Sequence, residues 1–357
     1  MKRVLTAILL CALCAPPAWA QEPELARVPF SVQTKSAFLM GYERGNFRLF
    51  QAGVERPLVG FFGPGRPKHV LVLAEYSRTL PRSYRTYGAY ESPYYRSLLE
   101  VGYTIYSLTK RLEPQDSIAL ATYDIDIRPV TLDENGKWNF VRSRAQVYAW
   151  LEDFLTVGYR LEPTGNEATP YSTLMQVLEG GASARGLRSL LRESERNLVV
   201  VLISGGASTF ERTGWDEILR VVRNAGIPIY TVQVGFESRV GHAGDGVEDI
   251  FGTDGAVGRA WMTELARASG GRYVEIRHFK ESARVAASIL ERAKYGYVLY
   301  FVPAPAPRRK RFEKLEVRLV DLAGVPVAKV WNPIEERWEK VKVEGREGIE
   351  YERDGRK

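Results

Sequence analysis

The chain is predicted to be an α/β protein built on a doubly wound, Rossmann-like, mostly parallel sheet, with small flanking β-segments, and three observations lead to that class. The segment Leu198-Val199-Val200-Val201-Leu202-Ile203 is apolar on both faces, which suits a strand covered by helices on both sides of a parallel sheet. Four further apolar runs, His69–Leu73, Ser117–Tyr123, Ile227–Val234 and Arg272–Ile276, have strand character. Between the runs lie stretches with helical spacing, such as Leu98, Val101, Ile105, Leu108 and Leu112, or Ile218, Leu219, Val222 and Ala225.

Lys2 and Arg3 precede the apolar run Val4–Leu13, and Ala18-Trp19-Ala20 before Gln21 has the small-x-small form that signal peptidase cuts. Residues 1–20 are therefore expected to be a signal peptide, with an apolar core shorter than the roughly twenty residues a membrane span needs. Leu10 and Leu13 stand before Cys11 and Cys14, where lipid attachment would require a small residue. With both cysteines inside the signal, the expected mature chain has no disulfide, thiolate nucleophile or cysteine metal site. Loss of Lys2 and Arg3 takes the formal charge from +7 to +5, too mild an excess to specify a partner. No later apolar run approaches membrane-spanning length, so the expected location is secreted or periplasmic.

The remaining residues divide into four parts. Residues 21–66 are expected to hold a β-hairpin, with Phe47–Phe50, a turn at Gln51-Ala52-Gly53, and Leu58–Phe62 starting after Pro57. Residues 67–300 carry the alternating strand and helix pattern. Residues 301–345 begin with the proline spacer Pro303-Ala304-Pro305-Ala306-Pro307, then continue as a β-segment, where Leu315-Glu316-Val317-Arg318-Leu319 alternates and Ala323-Gly324 turns into Val325–Val330. Residues 346–357, dense in charge, are expected to be a disordered tail.

Ligands of open parallel sheets bind outside the carboxyl ends of the strands. Two of those ends carry recognisable loops. Val70–Leu73 runs into Glu75-Tyr76-Ser77-Arg78-Thr79, and Leu198–Ile203 runs into Ser204-Gly205-Gly206. Elsewhere, Leu112-Glu113-Pro114-Gln115-Asp116-Ser117-Ile118-Ala119-Leu120 and Leu265-Ala266-Arg267-Ala268-Ser269-Gly270-Gly271-Arg272-Tyr273 are distinctive phrases at a strand and at a helix-strand turn. In these features residues 67–300 resemble a von Willebrand factor type A (VWFA) domain, and the whole mature chain resembles the bacterial secreted VWFA-related proteins.

The resemblance implies a metal-ion-dependent adhesion site made of Glu75, Ser77 and Thr79 from the first loop, Thr169 from a second, and Gly205 from a third. That site is degenerate. Glu75 stands where the family has the first Asp of Asp-x-Ser-x-Ser, and Gly205 stands where it usually has another. One remaining carboxylate leaves a hard dication poorly neutralised, so no cofactor is expected, with at most weak binding of Mg²⁺ or Ca²⁺. The alternative reading is that Ser77, Thr79 and Thr169 cap helices and satisfy loop amides.

Directly after the first loop come Arg82, Tyr84, Arg85, Tyr87, Tyr90, Tyr94 and Tyr95, residue types enriched in interface hot spots, which make 84–95 a candidate recognition segment. The acidic loop with Asp245, Glu248, Asp249 and Asp254 lacks the spacing of a calcium loop and reads as solvated, and the basic run Arg308-Arg309-Lys310-Arg311 reads as hydrated.

Catalysis finds little support: there is no Gly-x-Ser-x-Gly, no His-Glu-x-x-His, and the histidines are His69, His242 and His278. Phosphate-loop spacing and the basic aromatic strips of nucleic-acid binders are missing. The expectation is a non-enzymatic protein that recognises a protein or a surface through the carboxyl-end rim. The alternative is a structural scaffold of an envelope assembly that acts through its β-segments.

Overall fold

The computed structural model describes residues 25–82, 92–136, 139–157, 162–163, 165–181, 184–193, 196–235, 252–305 and 312–351. The strands in chain order are β1 (Ala26–Gln33), β2 (Phe47–Gln51), β3 (Val54–Arg56), β4 (Leu58–Phe62), β5 (Lys68–Glu75), β6 (Ser117–Tyr123), β7 (Ile127–Pro129), β8 (Gly180–Gly181), β9 (Ala184–Arg185), β10 (Asn197–Ser204), β11 (Ile229–Gln233), β12 (Tyr273–Glu275), β13 (Tyr297–Phe301), β14 (Phe312–Leu319), β15 (Lys329–Asn332), β16 (Arg337–Lys340), β17 (Lys342–Gly345) and β18 (Gly348–Glu350). The helices are α1 (Tyr95–Arg111), α2 (Ala145–Val157), α3 (Pro170–Glu179), α4 (Leu187–Glu193), α5 (Trp215–Ala225), α6 (Gly252–Ser269) and α7 (Ser282–Lys294).

A six-stranded sheet in the order β12-β11-β10-β5-β6-β7 forms the centre, parallel except for the edge strand β7. The period of two along each strand sorts its side chains into two cores. Val70, Val72, Ala74, Val199, Val201 and Ile203 pack with α1, α2 and α7 on one face. Leu71, Leu73, Leu198, Val200 and Leu202 pack with α3, α5 and α6 on the other. Both faces being apolar is what the run 198–203 required, since each face has its own layer of helices. At the amino ends, Lys68 and Asp116 form a buried ion pair at 3.0 Å, and Asp116 also accepts the Lys68 and Glu113 amides, so both charges are satisfied.

The flanking β-segments are interleaved, not sequential. One four-stranded sheet runs β17-β1-β13-β4 and another runs β18-β14-β2-β3. They enclose a third core that contains Val28, Phe30, Phe47, Leu49, Tyr297, Leu299, Phe301 and Leu315. The division at residue 300 thus falls inside β13, which belongs to this β-unit. The expected pairing of Phe47–Phe50 with Leu58–Phe62 is corrected: β2 turns at Ala52-Gly53 and pairs with β3, while β4 crosses to pair with β13. Pro57 stands between β3 and β4, and without an N–H it interrupts the ladder where the chain changes sheets.

The charged tail also departs from expectation over its first residues. Gly348–Glu350 forms β18 against β14, and Arg346 and Ile349 are buried. Charge density signalled solvation, yet the charges here are paired: Arg223 with Glu350 at 2.6 Å and Arg267 with Glu347 at 3.0 Å. Residues 352–357, residues 1–24 with the expected signal peptide 1–20, the basic run 308–311 and most of the acidic loop lie outside the described residues. Among the described residues no helix is long and apolar enough to cross a membrane.

Candidate functional site at the carboxyl ends of the central strands

β5 and β10 lie side by side with Ala74 opposite Ile203, so their carboxyl ends bring Glu75 next to the Ser204 loop. Glu75 is fully buried. One of its oxygens, Oε1, accepts from Ser77 Oγ at 2.7 Å and Thr79 Oγ1 at 2.8 Å. The other, Oε2, accepts from Ser204 Oγ at 2.7 Å and from the Gly205 amide at 2.9 Å. Ser77 and Thr79 oxygens are themselves 2.7 Å apart, and Ser204 Oγ accepts from the Gly206 amide at 3.0 Å. Three hydroxyls and a backbone N–H therefore converge on one carboxylate.

This geometry changes what the loop can do. A divalent cation at this cluster would be neutralised by Glu75 alone, and both oxygens of that carboxylate already accept two hydrogen bonds each. The extra methylene of Glu relative to Asp carries the carboxylate into the ring of hydroxyls, where it gathers them. Among the described residues no group of three or more His, Cys, Asp or Glu side chains is placed to hold a metal ion. Of the alternative reading, Ser77 Oγ accepts a loop amide, Thr79 N at 3.2 Å, while both hydroxyls also donate to Glu75.

Thr169 is not brought into this cluster. Its hydroxyl faces the carbonyls of Asp124 and Ile125, each at 3.1 Å, and its amide donates to Asp124 O at 3.0 Å. It staples the second loop to the end of β6. Tyr123, at the end of β6, is buried beside this cluster. Burial first, and then the neighbouring Glu75 carboxylate, hold this phenol well above its ordinary pKa.

The three loops are tied to one another. Arg78 N donates to Gly165 O at 2.7 Å and Arg78 Nε to Pro163 O at 2.9 Å, joining the first loop to the second. Thr209 N donates to Ala168 O at 2.8 Å and Ala168 N to Thr209 Oγ1 at 2.9 Å, joining the second to the third. Glu211 reaches across to the amino end of α3, accepting from Tyr171 N at 2.8 Å, Ser172 N at 3.0 Å and Ser172 Oγ at 2.8 Å, with Ser208 Oγ at 3.1 Å. A carboxylate there satisfies amides the helix leaves open and complements its dipole. Sequence spacing did not single out Glu211, because its partners are 39 and 40 residues away.

Between these two anchored residues stands Phe210. It is 79% exposed and has φ of +51°, the left-handed region that a bulky residue rarely occupies. Sequence reasoning missed it; the one signal was an aromatic inside the otherwise polar run Ser208-Thr209-Phe210-Glu211-Arg212-Thr213.

The recognition segment is only partly described. Tyr84, Arg85, Tyr87 and Tyr90 lie outside the described residues. Tyr94 is corrected as a surface contact: it is 3% exposed and belongs to the core beneath α1, with the exposed Arg82 guanidinium over its ring at 5.2 Å. Its position one residue before α1 turns the ring inward. Tyr95, the first residue of α1, is half-buried.

No family model and no curated protein matches the chain. Among solved structures it is similar to an aerotolerance-related membrane protein from Bacteroides fragilis, at 12% identity and TM-score 0.42, covering 64% of this chain and 98% of that one. It is also similar to BatB from Bacteroides thetaiotaomicron, at 13% identity and TM-score 0.39, covering 64% and 99%. A third likeness is to proximal thread matrix protein 1 of the mussel byssus, at 11% identity and TM-score 0.42, covering 65% of this chain and 49% of that one. Another structure of the byssus protein is described with a zinc-occupied MIDAS motif.

Proposed function

We propose that this chain is an exported, non-enzymatic binding protein that recognises a protein partner through the carboxyl-end rim of a VWFA-like domain, without requiring a metal. The observation that carries this reading is Phe210, exposed and conformationally strained between two residues anchored to the neighbouring loop. An apolar ring held in water on a strained backbone contributes nothing to the core, and residues held in sparsely populated conformations cluster at functional sites. The Glu75 hub supports the same reading, because it fixes the spacing of the first and third loops with protein groups alone. Hydroxyls that could serve as nucleophiles are engaged with Glu75, and His69 lies at the opposite end of β5.

The test is quantitative capture of envelope proteins by the mature protein, compared with Phe210→Ala and with Tyr87→Ala/Tyr90→Ala. A hot-spot aromatic contributes about 2 kcal/mol or more, so each variant should weaken capture of the same partner by at least tenfold while circular dichroism is unchanged.

A second reading, the scaffold, is favoured by one observation. Trp331 and Trp338 face each other across the β15–β16 hairpin with ring centroids 5.8 Å apart, and are 50% and 64% exposed. Normal capture by the rim variants, with capture lost in Trp331→Ser/Trp338→Ser, would replace rim recognition by scaffolding.

A further inference from the structure

At the end of the molecule opposite the rim, β1 lies against the amino ends of the central strands. Val28, Phe30 and Val32 of β1 face the β-unit core, so Arg27 and Ser31 face the other way. They line a cavity of about 30 Å³ together with Asn197, Tyr230 and Arg292. Arg27, Ser31 and Asn197 are each more than nine-tenths buried. Among the described residues, Arg27 Nε and Nη1, Ser31 Oγ and Asn197 Oδ1 have no hydrogen-bond partner. Four orphaned polar atoms from two elements thus belong to residues around one space. Buried polar groups are otherwise nearly always paired.

The charge is as informative as the hydrogen bonds. Arg292, beside the same cavity, is paired with Glu344. Among the described residues no carboxylate pairs with Arg27, whose guanidinium carbon lies 5.4 Å from the Tyr300 ring centroid and which interacts with the Tyr300 hydroxyl. An unpaired buried cation is expensive. Water in the cavity would satisfy the N–H groups and leave the charge; a monovalent anion would satisfy both.

We propose that this cavity binds a small monovalent anion of about chloride size, held by the Nε–H and Nη1–H of Arg27 and the hydroxyl of Ser31. Asn197 joins them by presenting its NH₂ in place of its oxygen, a half-turn of the amide. A volume of 30 Å³ exceeds the roughly 10–15 Å³ that one water needs, which gives a small anion room. The bound anion would join β1 of the β-unit to β10 of the central sheet, so that the kind of salt, not only its strength, would govern how firmly the two are held together.

Thermal unfolding of the mature protein at fixed ionic strength tests this, with sodium chloride or bromide replacing sodium gluconate, whose anion is too large to enter. A saturable rise in Tm of roughly 3 °C or more is expected with halide, and Arg27→Met should abolish it. Crystals soaked in bromide should show an anomalous peak between Arg27 and Ser31. Ser31→Ala keeps the charge and should raise the half-saturating halide concentration several-fold, which covers the case in which Arg27→Met fails to fold. Equal Tm in chloride and gluconate with no bromide peak would mean a hydrated cavity only, and a halide effect that survives Arg27→Met would place the anion elsewhere; either result overturns the proposal.

Discussion

Ser204 and Glu75 are 129 residues apart in the chain, yet Ser204 Oγ donates to Glu75 Oε2 across 2.7 Å. This bond, with the Gly205 amide on the same oxygen and Ser77 and Thr79 on the other, makes one carboxylate the common anchor of two loops. Hydrogen bonds to charged groups contribute about 1.5–3 kcal/mol each, and donors left unsatisfied in the interior add their own penalty. Glu75→Ala should therefore lower stability by about 3 kcal/mol or more in urea unfolding. Glu75→Gln, which retains one acceptor oxygen, should lose less. Equal stability of the alanine variant and the wild type would mean that the carboxylate is not a structural hub.

The difference between Glu75 and Thr169 shows how far the site was legible in the sequence. Glu75 could be placed because an apolar run followed by a short polar loop defines the end of a buried strand. Its role could not be placed, because the groups it gathers come from separate loops, Ser204 lying 129 residues away. Thr169 was grouped with it by resemblance, and the β6 end instead takes its hydroxyl. The central strands were legible for the same reason as Glu75, since both-face burial leaves a pattern in neighbouring residues. The β-unit was not, because β1 pairs with β13 and β14 with β2 across more than 250 residues, and nothing local encodes such partners.

Divalent cations should leave the wild type almost unaffected. Native-state binding at a hundredfold excess over Kd would add about 2.7 kcal/mol and raise Tm visibly; with Glu75 the one carboxylate of the cluster and each of its oxygens already accepting two hydrogen bonds, millimolar Mg²⁺ or Ca²⁺ is expected to give no shift. Glu75→Asp withdraws the carboxylate from the hydroxyl ring and should make Tm respond to Mg²⁺. Gly205→Asp should not, since a Cβ at that position would lie 2.7 Å from Pro81 Cδ and force the loop to move. A clear wild-type shift that Glu75→Ala removes would show that the cation competes successfully for the site.

His69 should give the protein an acid-sensitive term. Burial first, and then Arg196 and Arg142, lower its pKa to about 4, while its unfolded value is near 6.5. Between those values the unfolded chain binds more protons than the native one, so stability rises with pH across the interval and is lost as pH falls from about 6.5 toward 4. The ring is partly solvated, so the slope should be smaller than the ~1.4 kcal/mol per pH unit of one full proton. Tm measured from pH 4 to 7 should flatten in His69→Asn, and an unchanged profile in that variant would assign the slope to other groups.

Phe210 offers a test in which stability and recognition separate. In ordinary loop positions glycine is less stable than alanine by about 0.5–1 kcal/mol, because it is freer in the unfolded chain. At φ of +51° the balance should reverse, since alanine retains a left-handed backbone that costs an L-residue roughly 1–2 kcal/mol and glycine does not. Phe210→Gly is thus expected to be at least as stable as Phe210→Ala in urea unfolding, and both close to the wild type, because a ring 79% exposed buries little. If the aromatic ring is what the partner contacts, both variants should lose capture to the same extent despite their different backbones. A glycine variant about 1 kcal/mol less stable than the alanine variant would mean that the backbone at this position is not strained. Full capture by Phe210→Ala, with capture lost only in Phe210→Gly, would mean that the loop conformation matters and the ring does not.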